Sequence, residues 1–257
     1  MDPSGSINGN ILLRRTHLLY SNRCRHASYT YNKDMGIVDS IGLTRKITRP
    51  RLGKFLQQYA TDSQTLDIGC GNDQYGSLFP NRVTLDIEQR PGVQVDIVAD
   101  AHDLSQIENN SFEAILCTEV LEHLHSPATA ISEFYRILQP GGMLLLSTRF
   151  IFPIHDAPGD YYRYTKYGLQ HLLQDFQIEE IREETSTAET LAVLYQRLGF
   201  QCETLWLKPF KVCWFLAAKL MMLFSWIITK EYGDIRHSSQ EQNILSSGYY
   251  VAATKPL

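Results

Sequence analysis

Residues 67–71 read Asp-Ile-Gly-Cys-Gly at the end of a short apolar run, and two glycines one residue apart let main chain pass close beneath a ligand. Alone, such a pair is as often just a tight turn. An acid at the end of the next apolar run, Asp86, is placed to accept hydrogen bonds from a ribose diol, where by itself it would read as a helix cap or a solvated strand end. A third acid, Asp100 in Val98-Ala99-Asp100-Ala101, is placed to accept from an exocyclic adenine amine. Charge-assisted bonds of this kind contribute about 1.5–3 kcal/mol each. Three acids and a Gly-x-Gly in this order exceed what strand-end chance explains. Further on, Pro153–Thr165 mixes Pro and Gly with His155, Asp156, Asp160, Arg163 and the tyrosines Tyr161, Tyr162 and Tyr164, the make-up of a substrate rim.

Elements that could position these residues follow from periodicity. Leu52, Phe55, Leu56 and Tyr59 recur at helical spacing over Arg49–Ala60, and Ile131, Phe134, Tyr135 and Leu138 do so over Ala128–Leu138, which Pro140-Gly141-Gly142 should stop. Short apolar runs at Thr65–Ile68, Val83–Ile87, Val95–Val98, Phe112–Thr118 and Met143–Thr148 have the length of buried parallel strands. The alternation of strands with helices implies an α/β fold with a doubly wound, mostly parallel sheet, whose ligands sit beyond the carboxyl ends of the strands. Phe176–Glu184 and Ser247–Ala253 read as two further strands, Glu189–Leu198 as a helix, and Thr165 as the start of another.

Composition bounds the function. The 257 residues carry 24 basic and 28 acidic side chains, net −4, which argues against a globally basic nucleic-acid binder. The charge is uneven: residues 1–60 hold ten Lys and Arg against three acids, a basic front end on an acidic body. Five scattered cysteines without a CxxC pair argue against a disulfide framework or a zinc cluster and point to a reducing compartment. Ile11–Leu13, interrupted by Arg14 and Arg15, is too short for a signal-peptide core, so a cytoplasmic location is expected.

The run Leu66-Asp67-Ile68-Gly69-Cys70-Gly71 resembles the first motif of the class I S-adenosylmethionine-dependent methyltransferases. Phe112–Leu124, with Cys117-Thr118-Glu119-Val120-Leu121-Glu122-His123, resembles their fourth-strand motif, and Ile137–Ser147 the entry to the fifth strand. The resemblance covers about residues 50–180. It implies a Rossmann-like seven-stranded sheet and S-adenosylmethionine as cofactor. Asp67 would hold the cofactor's amino group and the Gly69, Cys70 and Gly71 turn its methionine part. Asp86 and Ile87 would meet the ribose, Asp100 and Ala101 the adenine, and Cys117, Thr118 and Glu119 the surroundings of the sulfonium. Asp73 departs from a three-glycine loop. A dinucleotide dehydrogenase fits less well, since its third glycine would fall at Gln74 and Asp67 would repel a pyrophosphate.

On this reading the chain moves a methyl group to a small-molecule or lipid-linked acceptor, with His155 as base, Tyr161, Tyr162 and Arg163 at the substrate, and no metal. Arg163 has an alternative partner in Asp160, and His123 suits packing beneath the cofactor. A non-catalytic cofactor-binding scaffold and an RNA methyltransferase are the rivals, the latter supported only by the basic arm. Residues 1–48 are read as that arm and 49–257 as the methyltransferase domain, with a helical insertion at about 205–232. Within the insertion, Val212–Ile228 is almost wholly apolar but about 26 Å long as a helix, short of the roughly 30 Å hydrocarbon core. It reads either as a buried cap helix or as an interfacial or dimer-forming helix, with Trp206, Lys208, Phe210, Lys211, Trp214, Trp226 and Lys230 around it.

Overall fold

Leu52, Phe55 and Leu56 are buried on one side of helix α1 (Arg49–Gln57), and Pro50 sits in its first turn, where a missing N–H costs nothing. The computed structural model describes residues 47–71, 75–89, 92–202, 208–234 and 236–257, without the side chains of 208 and 209. Nearly all of the basic arm, Asn72, Asp73, Gln74 and Trp206 therefore lie outside the described residues.

Seven strands form one sheet: β1 (Thr65–Ile68), β2 (Arg82–Asp86), β3 (Ile97–Val98), β4 (Phe112–Thr118), β5 (Leu138–Arg149), β6 (Gln177–Glu183) and β7 (Gly248–Thr254). Their order is β3-β2-β1-β4-β5-β7-β6, parallel from β3 to β5, with β7 antiparallel to both β5 and β6. All four residues of β1 are buried, as a central strand covered on both faces requires. Period-two alternation splits the core into two layers. Leu66, Ile68, Ile115, Cys117, Leu144 and Leu146 face helix α2 (Pro127–Ile137) with its Ile131 and Phe134, while Leu116, Leu145, Tyr250 and Ala252 pack on Phe55 and Leu56 of α1. Each such fully buried Leu, Ile or Phe contributes about 1.5–3 kcal/mol.

Two details differ from the sequence reading. Helix α2 ends at Ile137, where Leu138 is already extended, and Pro140, Gly141 and Gly142 belong to the start of β5. The restriction a proline places on the residue before it draws Gln139 out of the helix and moves the boundary upstream. Helices also alternate with strands less regularly. Between β1 and β2 the described residues form only a single 3-10 turn, Gly76–Leu78, and between β3 and β4 the chain runs in turns. There Leu104 and Ile107 plug the core in place of a helix, held by Arg136, which donates to both their carbonyls and pairs with Glu133 at 2.8 Å.

Beyond β5, Thr165 caps helix α3 (Lys166–Leu172) by accepting from the Gly168 N–H. Ser186 and Glu189 close a reciprocal capping box on helix α4 (Thr187–Gln201), and Glu189 also pairs with Arg51, tying α4 to α1. Helix α5 (Lys208–Leu223) packs along α4 through Trp214 on Tyr195 and Phe215 on Phe200. No helix among the described residues is long and apolar enough to cross a membrane.

Candidate active site

Strand register brings the expected site residues to one edge. Ile68 lies opposite Leu85 and Cys117, Asp86 opposite Val98, and Thr118 opposite Ser147, so the residues that follow β1 to β5 emerge together at the carboxyl ends. At the first of these ends Gly69 has φ +69°, and a Cβ there would stand 2.3 Å from Val120 Cγ2. Only glycine lets the turn lie directly against the β4 loop. Gly71 follows in the same left-handed region, with Cys70 between them.

Two acids at this half of the edge, Asp86 and Asp100, are tied to near neighbours in sequence. Asp86, 3% exposed, accepts from the Ile87 N–H at 2.8 Å, and the Ile87 side chain beside it is exposed. Asp100 accepts from the His102 N–H at 2.9 Å and meets the His102 ring at 2.5 Å. Burial works against ionising Asp100, but these two bonds outweigh it and hold its carboxyl below the usual aspartate value. Ala101 is buried beside it. Asp67 is buried on β1, with Arg82 of β2 at 3.6 Å.

The other half is built from long-range contacts. Glu119 has φ +57°, an uncommon conformation for a residue with a side chain. It is held there by Ser147, whose carbonyl accepts from the Glu119 N–H at 3.0 Å and whose hydroxyl donates to Glu119 Oε1 at 2.7 Å. Arg149, the last residue of β5, joins Glu119 to Glu184: it pairs with Glu119 and donates to Glu184 Oε2 at 2.7 Å. Ser247 and Tyr250 of the β7 region also donate to Glu184, at 2.6 and 3.1 Å. Glu122, fully buried, accepts from Thr148 through Oε2, while its Oε1 has no hydrogen-bond partner among the described residues. Burial pushes both Glu119 and Glu122 above the usual glutamate value, Arg149 opposing it.

The loop after β5 folds over this edge. The Tyr161 and Tyr162 N–H groups both donate to the Glu122 carbonyl, and the two rings remain partly exposed at the rim. His155 has Nδ1 3.4 Å from Asp160 and Nε2 3.9 Å from Glu122 Oε1, and its ring packs edge-on against His123 and Phe152. Burial and His123 depress the His155 pKa, with Asp160 opposing. Asp160 is brought down to about 2: burial resists, but Arg163 and the His155 N–H outweigh it. His123 meets the Gly159 carbonyl at 2.9 Å, beneath the loop. Two groups, Glu122, His123 and His155, and Asp100, His102 and His125, bring atoms that could ligate a metal within 4.8 Å of one another.

Two expected residues stand differently from their reading. Cys117 is fully buried in the core layer under α2, with its thiol pKa pushed up by burial, so at the edge it can present only main chain. Arg163 spends its guanidinium on Asp160, in a two-pronged pair at 2.6 and 2.5 Å, and on the carbonyls of Phe152 and Pro153. It fixes the loop, the alternative partner the sequence had offered. Thr118 stands at the edge, half-buried. The sequence reading gave no site role to Glu122, Arg149 and Glu184. Glu122 was visible as a second acid three residues after Glu119, and Arg149 as a charge closing an apolar strand. A cleft of about 530 Å³ beside Cys70, Arg82 and Thr84 is lined by none of Glu119, Glu122 and His155.

These features suit S-adenosylmethionine. The glycine turn lets main chain approach the cofactor, and the edge gathers Glu119, Glu122 and Glu184 around a single Arg149. That acid excess favours a sulfonium cation and disfavours a phosphate.

Residues 66–146 match the family described as a methyltransferase domain. A ubiquinone biosynthesis O-methyltransferase of Xanthomonas oryzae pv. oryzae is 32% identical over 102 residues, 34% of this chain and 43% of that protein. Its counterpart from Hahella chejuensis is 31% identical over 101 residues, 33% and 42% of the two chains. The chain thus spans less than half the length of these relatives. Among solved structures, a methyltransferase dependent on S-adenosylmethionine from Archaeoglobus fulgidus superposes with a TM-score of 0.51 at 13% identity, covering 80% of this chain and 92% of that one. The [4+2]-cyclase SpnF does so at 0.51 and 18%, covering 80% of each. Such low identities speak for the fold alone, and the cyclase illustrates that one fold carries more than one chemistry. The motif segment, the sheet order and the acidic edge agree with the match of residues 66–146 to a methyltransferase domain, the class I, S-adenosylmethionine-dependent type.

Proposed function

We propose that the chain is an enzyme that methylates a hydroxyl oxygen of a small-molecule or lipid-linked acceptor, with residues 49–257 as its catalytic domain, 1–48 as a basic arm and the cytoplasm as its location. The observation that carries this reading is the placement of His155, between Asp160 and Glu122, over the acidic edge. The relatives named for ubiquinone biosynthesis support an oxygen acceptor on a small or lipid-linked molecule.

When bound, S-adenosylmethionine supplies a methyl group activated by its sulfonium. Asp67 and the Gly69, Cys70 and Gly71 turn would hold its amino-acid end, Asp86 and Ile87 its ribose, Asp100 and Ala101 its adenine, and Thr118, Glu119 and the Cys117 main chain the neighbourhood of the sulfur. Tyr161 and Tyr162 line the acceptor's approach, with Arg163 keeping their loop in place. His155, its pKa depressed, is neutral near pH 7. It takes the acceptor's O–H proton at Nε2 as the oxygen–methyl bond forms, and Asp160 and Glu122 stabilise the resulting imidazolium. Glu122 is a positioning residue in this scheme. Alignment of acceptor and methyl group supplies the larger share of the rate, about 7–11 kcal/mol where orientation is good.

The test is calorimetry with S-adenosylmethionine, together with S-adenosylhomocysteine release on incubation with cell extract. His155→Ala should keep cofactor affinity within twofold and lower turnover about 10²–10⁴-fold. Absence of cofactor binding overturns the whole reading. Binding without turnover makes the chain a scaffold, and unchanged turnover in the variant removes His155 as base. The segment 206–230 adds a further surface, which we propose meets a membrane or a second copy of the chain.

A further inference from the structure

The described part of the insertion has two apolar faces, and only one is packed against other described residues. Phe215 and Ala218 are buried, Trp214 stacks on Tyr195 of α4, and Phe215 meets Phe200 of α4 edge to face. On the opposite side of α5, and in the turn after it, Phe210, Leu216, Leu220, Leu223, Trp226 and Ile227 are 49–72% exposed. Monomeric proteins rarely leave so continuous an apolar surface without an occupant.

Charge identifies the occupant. From 204 to 230 the sequence has no Asp or Glu and four lysines, Lys208, Lys211, Lys219 and Lys230, in a chain of net −4. The rest of the molecule therefore sums to −8, whereas this segment is wholly basic. Lys219 is exposed on the apolar face, Lys211 is half-buried on the same helix, and Lys230 is exposed just beyond the turn. Two copies of this face laid together would bring these lysines towards one another across an apolar seam, whereas an anionic surface with an apolar interior answers both features. At 16 residues, or about 24 Å, α5 is too short to span a bilayer, and long lysine stems can keep their ammonium groups at headgroup level while the helix lies flat. Trp226, the most exposed of the six, is of the residue type that settles at that level.

We infer that α5 and the 3-10 turn Ser225–Ile227 dock the protein flat on an anionic lipid bilayer. This surface lies close to the candidate active site. Arg197 of α4, the helix on which α5 rests, stands over the Phe152 ring at 4.8 Å, and Phe152 packs against His155. Docking would hold the His155 loop near the lipid surface, where a lipid-linked acceptor is concentrated, a consequence that rests on the proposed methyl transfer; the docking itself does not.

Sedimentation of the full chain with vesicles tests the inference. Vesicles of phosphatidylcholine and phosphatidylglycerol should bind it at least tenfold better at low salt than phosphatidylcholine alone, and high salt should release it. Leu223→Ser with Trp226→Ser should weaken vesicle binding at least tenfold while leaving S-adenosylmethionine affinity, read by calorimetry without vesicles, within twofold. Lys211→Glu with Lys219→Glu should abolish the preference for anionic vesicles. The inference is overturned by no binding at low salt, by equal binding to both vesicles, or by a concentration-dependent dimer that the serine variant dissolves while vesicle binding stays absent. Failure of vesicle binding with cofactor binding intact removes only the docking. Vesicle binding with no cofactor binding removes only the methyl-transfer reading.

Discussion

The two halves of the carboxyl edge satisfy their acids in opposite ways. On the β1–β3 side, Asp86 and Asp100 accept from residues one and two positions further along the chain. On the β4–β7 side, Glu119 reaches Ser147, Glu122 reaches Thr148, and Glu184 is met by Arg149, Ser247 and Tyr250. A locally satisfied carboxylate exists almost as soon as its turn forms. A carboxylate satisfied from distant strands is bound up with the assembly of the sheet, so it reports on global stability.

The largest effect should come from breaking the long-range half. Arg149→Met leaves the buried Glu184 and the half-buried Glu119 without their shared cation and should lower unfolding free energy by about 3–5 kcal/mol in urea denaturation. A loss below about 1 kcal/mol would show that the network contributes little. Gly69→Ala comes next, because φ +69° and the Val120 methyl both oppose a Cβ. It should lower stability by about 2 kcal/mol and S-adenosylmethionine affinity at least tenfold by calorimetry. On the local half, Asp100→Asn should change stability by less than about 1 kcal/mol yet weaken cofactor binding about ten- to hundredfold. Equal losses of stability from Asp100→Asn and Arg149→Met would erase the distinction between the halves.

The smallest effect distinguishes the halves by sign. Asp100 has a folded pKa below its unfolded value, so it contributes stability above the ordinary aspartate range, lost as pH falls through its lowered value. Glu119 is raised, so between the ordinary glutamate value and about 7 the folded state holds more protons than the unfolded state. Its contribution therefore falls as pH rises through that window. Denaturation at pH 4.5 to 7.5 should show a downward component in the parent that Glu119→Gln removes, and an unchanged slope in the variant would assign that component elsewhere.

Legibility in the sequence follows the same division. β1 and β4 stand where their apolar runs placed them, Thr65–Ile68 and Phe112–Thr118, and β6 and β7 within a residue or so of theirs. Alternation of buried side chains leaves little freedom once both faces of a strand are covered. The bounds of β3 and β5 were harder to read, since a two-residue strand and a Pro-Gly-Gly entry carry little periodicity. The insertion's apolar run was plain, but its division into a packed face and an open one was not, because leucine and phenylalanine read alike on either side.

The sequence by itself determined the Gly-x-Gly turn, the acids at the ends of β2 and β3 and the core-facing residues, since these depend on φ freedom at one residue, on hydrogen bonds spanning one or two residues, and on strand period. Tertiary structure alone decided that Arg149 sits between Glu119 and Glu184, that Glu122 Oε1 faces His155, and that the outer side of α5 is left open among the described residues. The partner of a buried charge is set by which strand ends the register aligns, and residue type and spacing along the chain carry no record of that alignment.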